Sequence, residues 1–290
     1  MEKHFLVTVS NEAEHLFGVR FICSFFHEMP ENRVTLLHIC RHASGKKTLT
    51  TMWENSHQEK QVQIPLEAQK SIQKAHKLLR QNKVPLDHVL TKTAMEKYGK
   101  VKDIVAESAR GHYDAIVLGR RVSYTLQWMF ERPADETFQA MIREHSCISP
   151  LWICPDVEPA RKNVLLCIDG SENCYRAVDH VGRILSSQQQ HAITLLYVEN
   201  TIGTECVEFF KRAVSILLGH NVQAGRIEQK VVWGVSAAST ILSESQKGNF
   251  AVVAVGMGGN KQAQGIGTMA GKTTAKLISK LKNTSLWCCP

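Results

Sequence analysis

Residues 164–181, VLLCIDGSENCYRAVDHV, decide the fold. The apolar run from Val164 to Ile168 is short and uninterrupted, as in a strand buried on both faces, and it stops at Asp169-Gly170. Ser171-Glu172-Asn173 then opens a segment with apolar residues at helical spacing, so Ser171 reads as a helix N-cap and residues 171–188 as an amphipathic helix. A second apolar run, ITLLYV at 193–198, follows. Strand, helix and strand in this order form a right-handed crossover unit of a parallel sheet.

The same unit stands 159 positions earlier, where FLVTVS at 5–10 matches VLLCID at 164–169, and VTLLHI at 34–39 falls on ITLLYV without a gap. The helix between them spans 12–29, EAEHLFGVRFICSFFHEM. Further on the offset shrinks: LLRQN at 78–82 matches LLGHN at 217–221 with an offset of 139, so the first copy is longer by 20 residues. The extra length falls in the polar stretch 41–65, read as a loop. A helix (66–81), a strand (88–93) and a helix (101–110) come next; DAIVLG at 114–119 then matches AVVAVG at 251–256, and after a final helix LWICP at 151–155 matches LWCCP at 286–290. The pattern predicts two tandem nucleotide-fold domains, 1–156 and 161–290, each an open parallel five-stranded sheet with helices on both faces, joined at PDVEPARK, 155–162.

A length of 290 residues suits about two domains, and 43% hydrophobic with 21% charged residues suits globular cores. No apolar run approaches the roughly 18 residues that cross a bilayer, and the N-terminal MEKHFLVTVSNEAEH lacks a signal-peptide pattern. Nine cysteines without a CxxC pair argue for reduced thiols and a cytoplasmic protein. Cys288-Cys289 reads either as a redox-sensitive pair or as small residues finishing a buried strand. The formal charge of +8 is dispersed among acids, which indicates neither a nucleic-acid surface nor a membrane one.

The chemistry concentrates in 252–274, VVAVGMGGNKQAQGIGTMAGKTT. A strand ends at Gly256, and a glycine-rich segment leads through Gly259 to Gly271-Lys272-Thr273-Thr274 at a helix start. Bare backbone N–H groups and a helix dipole make such a loop an anion cradle; its plain reading is a surface loop. A Walker A motif is not present, since the position five before Gly271 is Ile266, and a GxGxxG fingerprint fails at Lys261. There is no GxSxG elbow, and no histidine pair has metal-ligand spacing with suitable partners, so neither a catalytic residue nor a metal site is expected.

These stretches together resemble the universal stress protein family in its tandem form. The resemblance implies a regulatory module of the stress response that binds an adenine nucleotide (ATP, ADP or AMP, with Mg able to accompany it) in the second domain and is not an enzyme. It places Asp169 and Val198 beside the adenosine, Val255 and Gly256 near base or ribose, and Gly259, Gly271, Lys272 and Thr273 at phosphate. Eleven residues separate Gly259 from Gly271 where the family has nine, and Lys272 stands where Ser or Thr is usual. In the first domain Ser10 replaces Asp169, Val122 replaces the second glycine and Arg132-Pro133 stands near the third, so that half is expected to be empty or to bind another anion. The apolar final strands suit pairing of the two halves within one chain, a homodimer of the whole chain being a further state, and the alternative function is an interaction scaffold with a vestigial nucleotide site.

Overall fold

The computed structural model describes residues 2–27, 29–40, 64–119, 149–156, 158–200, 206–257 and 272–290. The first half runs β1 (His4–Thr8), α1 (Phe17–Phe25), β2 (Arg33–Cys40), α2 (Leu66–Gln81), β3 (Val89–Met95), α3 (Lys100–Gly111), β4 (Ala115–Gly119) and β5 (Leu151–Cys154). The second runs β6 (Val164–Ile168), α4 (Glu172–Leu185), β7 (Ile193–Glu199), α5 (Val207–Gly219), β8 (Ile227–Trp233), α6 (Ala237–Lys247), β9 (Val252–Gly256), α7 (Lys272–Lys280) and β10 (Ser285–Cys289). The loop read at 41–65 lies almost wholly outside the described residues, as does the helix expected before β5.

The two five-stranded sheets join into one, in the order β3-β2-β1-β4-β5-β10-β9-β6-β7-β8. Pairing is parallel within each half. At the centre β5 and β10 run antiparallel, with Trp152 opposite Trp287. Successive strand residues alternate between two cores, which explains the near-continuous apolar strands. Val7, Leu36, Leu166 and Leu195 pack under α1, α2, α4 and α5. Leu6, Leu37, Leu165 and Leu196 pack under α3, α6 and α7 on the opposite face.

The central pair is the most heavily buried feature. The Trp152 and Trp287 rings stack at 4.0 Å, 3° from parallel, and both are fully buried. Such a contact contributes about 0.5–1.5 kcal/mol beyond area burial. Around it α1 and α4 each pack on the pair, with Phe21 against Trp287 and His180 against Trp152, and Phe25 stacks on His191 at 4.0 Å. Further polar contacts join the halves: Lys3 Nζ donates to Ser187 Oγ at 2.8 Å, and Arg183 pairs with Asp114. Cys288 and Cys289 finish β10 fully buried, and burial pushes the Cys288 thiol up to about 12.

Two sequence readings are corrected. The match of LLRQN with LLGHN is off by one, because the helix ends fix a different register. Val84 N bonds Leu79 O and Val222 N bonds Leu217 O, each at 3.1 Å, and the left-handed residues that follow the helices are Lys83 (φ 60°) and Asn221 (φ 61°). Leu79 therefore corresponds to Leu217, an offset of 138, and the first copy carries 21 extra residues instead of 20. The shared Asn misled the match: asparagine tolerates the left-handed position in one half, while lysine occupies it in the other.

The second correction is the start of α1, predicted at residue 12 and found at Phe17. In the second half the N-cap Ser171 accepts a hydrogen bond from Cys174 N at 3.2 Å, and α4 begins at once. The position corresponding to Ser171 is Glu12, whose carboxylate pairs with His15 instead. Leu16 then precedes the helix with no side-chain cap. The N-cap that opens α4 therefore has no counterpart at this place in the first half.

Candidate functional site at the strand ends

In the second half the carboxyl ends of β9, β6 and β7 lie side by side, and the chain leaves β6 toward β7 while β9 closes the other flank. This is the switch point at which open α/β sheets bind ligands. Asp169 follows directly on β6 and is exposed; Val198 is the penultimate residue of β7, and Val255-Gly256 ends β9. The topology thus places four of the expected residues on one edge. Thr273 lies half-buried in the first turn of α7, which Lys272 opens. Gly259, Gly271 and the Lys272 side chain lie outside the described residues.

The local chemistry adds what the sequence did not show. Asp169 Oδ1 accepts hydrogen bonds from Ser171 N at 3.0 Å and Ser171 Oγ at 2.6 Å, so the carboxylate shapes the turn that starts α4. Gly256 is required by packing: a Cβ there would stand 2.5 Å from the carbonyl carbon and 2.6 Å from the carbonyl oxygen of Asn173. The helix start presses directly on the strand end, and Asn173 ties the two by donating from Nδ2 to the Met257 carbonyl. Arginines and carboxylates alternate at the start of α4. Arg176 bonds Asn173, and Arg212 lies 3.8 Å over the Tyr175 ring while pairing with Glu172 at 2.7 Å. Burial pushes the nearby Cys174 thiol up to about 11, which leaves it un-ionised and unreactive near neutral pH.

The corresponding edge of the first half is packed differently. Gly119 stands where Gly256 does, yet among the described residues the nearest atom to a Cβ there is the His15 carbonyl oxygen, 3.8 Å away. The missing turn of α1 leaves a cavity of about 520 Å³ between residues 8–17, the end of β2 and the start of α3. The sequence marks this half as degenerate by Ser10 in place of Asp169 and by the lost glycines; a further difference is Glu12 in place of the N-cap Ser171.

Among the described residues no group of three or more His, Cys, Asp or Glu is placed to hold a metal ion, and no helix is long and apolar enough to cross a membrane.

No protein-family model matches the sequence, and no curated protein does. Solved structures do match along the whole chain. One is a universal stress protein from Archaeoglobus fulgidus DSM 4304, at 13% identity and a TM-score of 0.54, covering 99% of this chain and 95% of that one. Another is a functionally unknown protein from Pseudomonas aeruginosa PAO1, at 13% identity and a TM-score of 0.52, covering 99% of this chain and 92% of that one. The chain has the tandem fold of universal stress proteins.

Proposed function

We propose that the protein is a nucleotide-binding regulatory module of the universal stress type, which seats ATP, ADP or AMP on the carboxyl edge of the second half and acts through occupancy without a reaction step. The observation that carries this reading is the convergence of Asp169, Val198 and Val255-Gly256 from three neighbouring strands at the switch point. In this reading Asp169 accepts from adenine or ribose, Val198 and Val255 flank the base, and the N-terminus of α7 with Gly259, Gly271, Lys272 and Thr273 holds phosphate and any accompanying Mg. Domains 1–156 and 161–290 pair through β5 and β10, and the buried, reduced cysteines suit a cytoplasmic protein of the stress response.

A second reading, an interaction scaffold with a vestigial site, draws support from the engagement of Asp169 by Ser171 and from Asn173 lying across to Met257. Calorimetric titration with ATP separates the two. The nucleotide reading expects saturable binding that Asp169→Ala weakens about tenfold, the loss of one charged hydrogen-bond partner. Asp169→Asn, which keeps an Oδ1 acceptor for Ser171, should fall between and retain the wild-type unfolding midpoint. Absence of binding at millimolar ATP overturns the nucleotide reading and leaves the scaffold.

A further inference from the structure

The joined sheet ends on two edges, β3 in the first half and β8 in the second. Among the described residues each pairs with a single neighbour, β2 or β7. An edge strand presents a row of unpaired N–H and C=O groups, which is a template for a further strand unless its side chains forbid one. The two edges share a register, since Thr35 pairs with Leu90 where Thr194 pairs with Glu228, so Leu90, Thr91 and Lys92 correspond to Glu228, Gln229 and Lys230. They differ in the chemistry at these positions.

On one face of each edge a lysine is held by the helix that covers it. Lys92 Nζ pairs with Glu107 of α3 at 2.5 Å, and Lys230 Nζ pairs with Glu244 of α6 at 2.7 Å. Neither lysine is therefore the free cation that guards an edge against pairing. Two residues earlier on the same face, the first half has Leu90 and the second has Glu228. Glu228 accepts from Thr194 Oγ1 at 3.2 Å and has no ion-pair partner among the described residues.

When two identical strands pair antiparallel, positions placed symmetrically about the two-fold axis face each other on one side of the sheet. With the axis at Gln229, Glu228 of one copy stands opposite Lys230 of the other, and Lys230 opposite Glu228. The same register on β3, with the axis at Thr91, sets Lys92 against Leu90 and matches no opposite charges. The β8 edge is self-complementary, and the β3 edge is not.

The other face of β8 adds apolar surface. Ile227 packs against the core, whereas Val231 is 47% exposed and Trp233 is 64% exposed. About the Gln229 axis Ile227 lies opposite Val231 of the second copy, and Trp233 extends past the last pair. At the positions of Val231 and Trp233 the first half has Thr93 and Met95, both half-buried. Buried tryptophans dominate the energetics of many interfaces. A junction of this kind already exists within the chain, where β5 and β10 join the two halves antiparallel.

We propose that β8 is an interface between two copies of this chain, which pair antiparallel about Gln229 and continue one sheet across both, held by reciprocal Glu228–Lys230 ion pairs and by Val231 and Trp233. The interface does not rest on nucleotide binding in the second half.

Sedimentation equilibrium of the full chain tests it. The wild type should dimerise with a mass that rises with concentration. Glu228→Lys and Lys230→Glu each place like charges opposite one another at two points and should each weaken the dimer about tenfold. In the second variant Glu244 keeps Lys247, 3.0 Å away, as its partner. Mixed in equal amounts, the two variants should recover the dimer, because every cross-strand pair is then Lys against Glu. A folding defect in either variant gives no such rescue. Trp233→Ser should weaken the wild-type dimer without altering the charge pattern. A chain that stays monomeric at millimolar concentration overturns the proposal. So does a dimer that both reversals leave intact, or a mixture of the two variants that stays monomeric.

Discussion

The carboxyl edges of the two halves start from the same strand order and end differently. In the second half Ser171 caps α4, the helix begins at Glu172, and its first turn presses on Gly256 so closely that no side chain fits. In the first half Glu12 gives no cap, the helix waits until Phe17, and among the described residues the nearest atom to a Cβ at Gly119 is 3.8 Å away, beside a cavity of about 520 Å³. The place where the helix begins thus separates a tightly packed strand end from a looser one among the described residues. Glycine at a strand end has two meanings here, close packing in one half and none in the other. A glycine count alone cannot tell a ligand cradle from a tight helix contact.

The largest effect that would break this comparison is the response of the two glycines to a methyl group. Gly256→Ala should lower stability by about 2–3 kcal/mol, because the Cβ meets the Asn173 and Cys174 backbone at 2.5–2.6 Å and the helix must move. Gly119→Ala should stay within about 0.5 kcal/mol of wild type. Urea unfolding midpoints at constant m-value measure both. Equal losses at the two positions would mean that the edges are packed alike.

The repeat was legible because parallel strands buried on both faces leave uninterrupted apolar runs, and FLVTVS with VLLCID, or LWICP with LWCCP, keep that signature wherever they lie. The sheet that joins the halves was legible only as a suitability for pairing. Apolar terminal strands need a partner, but nothing local specifies an antiparallel one. The start of α1 was misread because residues 12–29 have helical periodicity throughout, and periodicity reports which face is apolar without reporting whether the first turn is capped. Asp169 was legible as a strand-end carboxylate, while its hold on Ser171 depends on geometry.

The aromatic junction holds a second asymmetry, smaller in effect. Trp152 Nε1 donates to His180 Nε2 at 3.0 Å, whereas Trp287 Nε1 has no partner, because the residue 159 positions before His180 is Phe21. Burial, with Arg183 adding to it, lowers His180 from 6.5 to about 3. The unfolded chain therefore binds the extra proton, and stability falls as pH drops from about 6.5 toward 3. His180→Phe makes the two sides alike. At pH 7 it leaves Trp152 Nε1 unpaired but also removes the unpaired His180 Nδ1, so the two proteins should lie within about 1 kcal/mol of each other. At pH 5 the wild type has lost about 2 kcal/mol to the His180 term, so the variant should be the more stable there. Other buried histidines, His191 among them, are common to both proteins and cancel in the difference. Parallel curves with no crossing would show that His180 is protonated in the fold.

The smallest effect tests the origin of the whole difference. Ser171→Ala should cost about 1 kcal/mol, the usual worth of an N-cap, through loss of the bond to Cys174 N. The converse graft, Ser10→Asp with Glu12→Ser, gives the first half the cap that it lacks and frees His15 from Glu12. If capping is the cause, residues 13–16 should become helical in NMR secondary shifts, and stability should rise by about 0.5 kcal/mol. The added turn would pack beside Gly119 and should leave nucleotide affinity in the second half unchanged. Residues 13–16 that stay non-helical after the graft would assign the late start of α1 to the packing of Leu16 and Phe17 instead, and the cavity would then belong to the core of the first half and not to its helix cap.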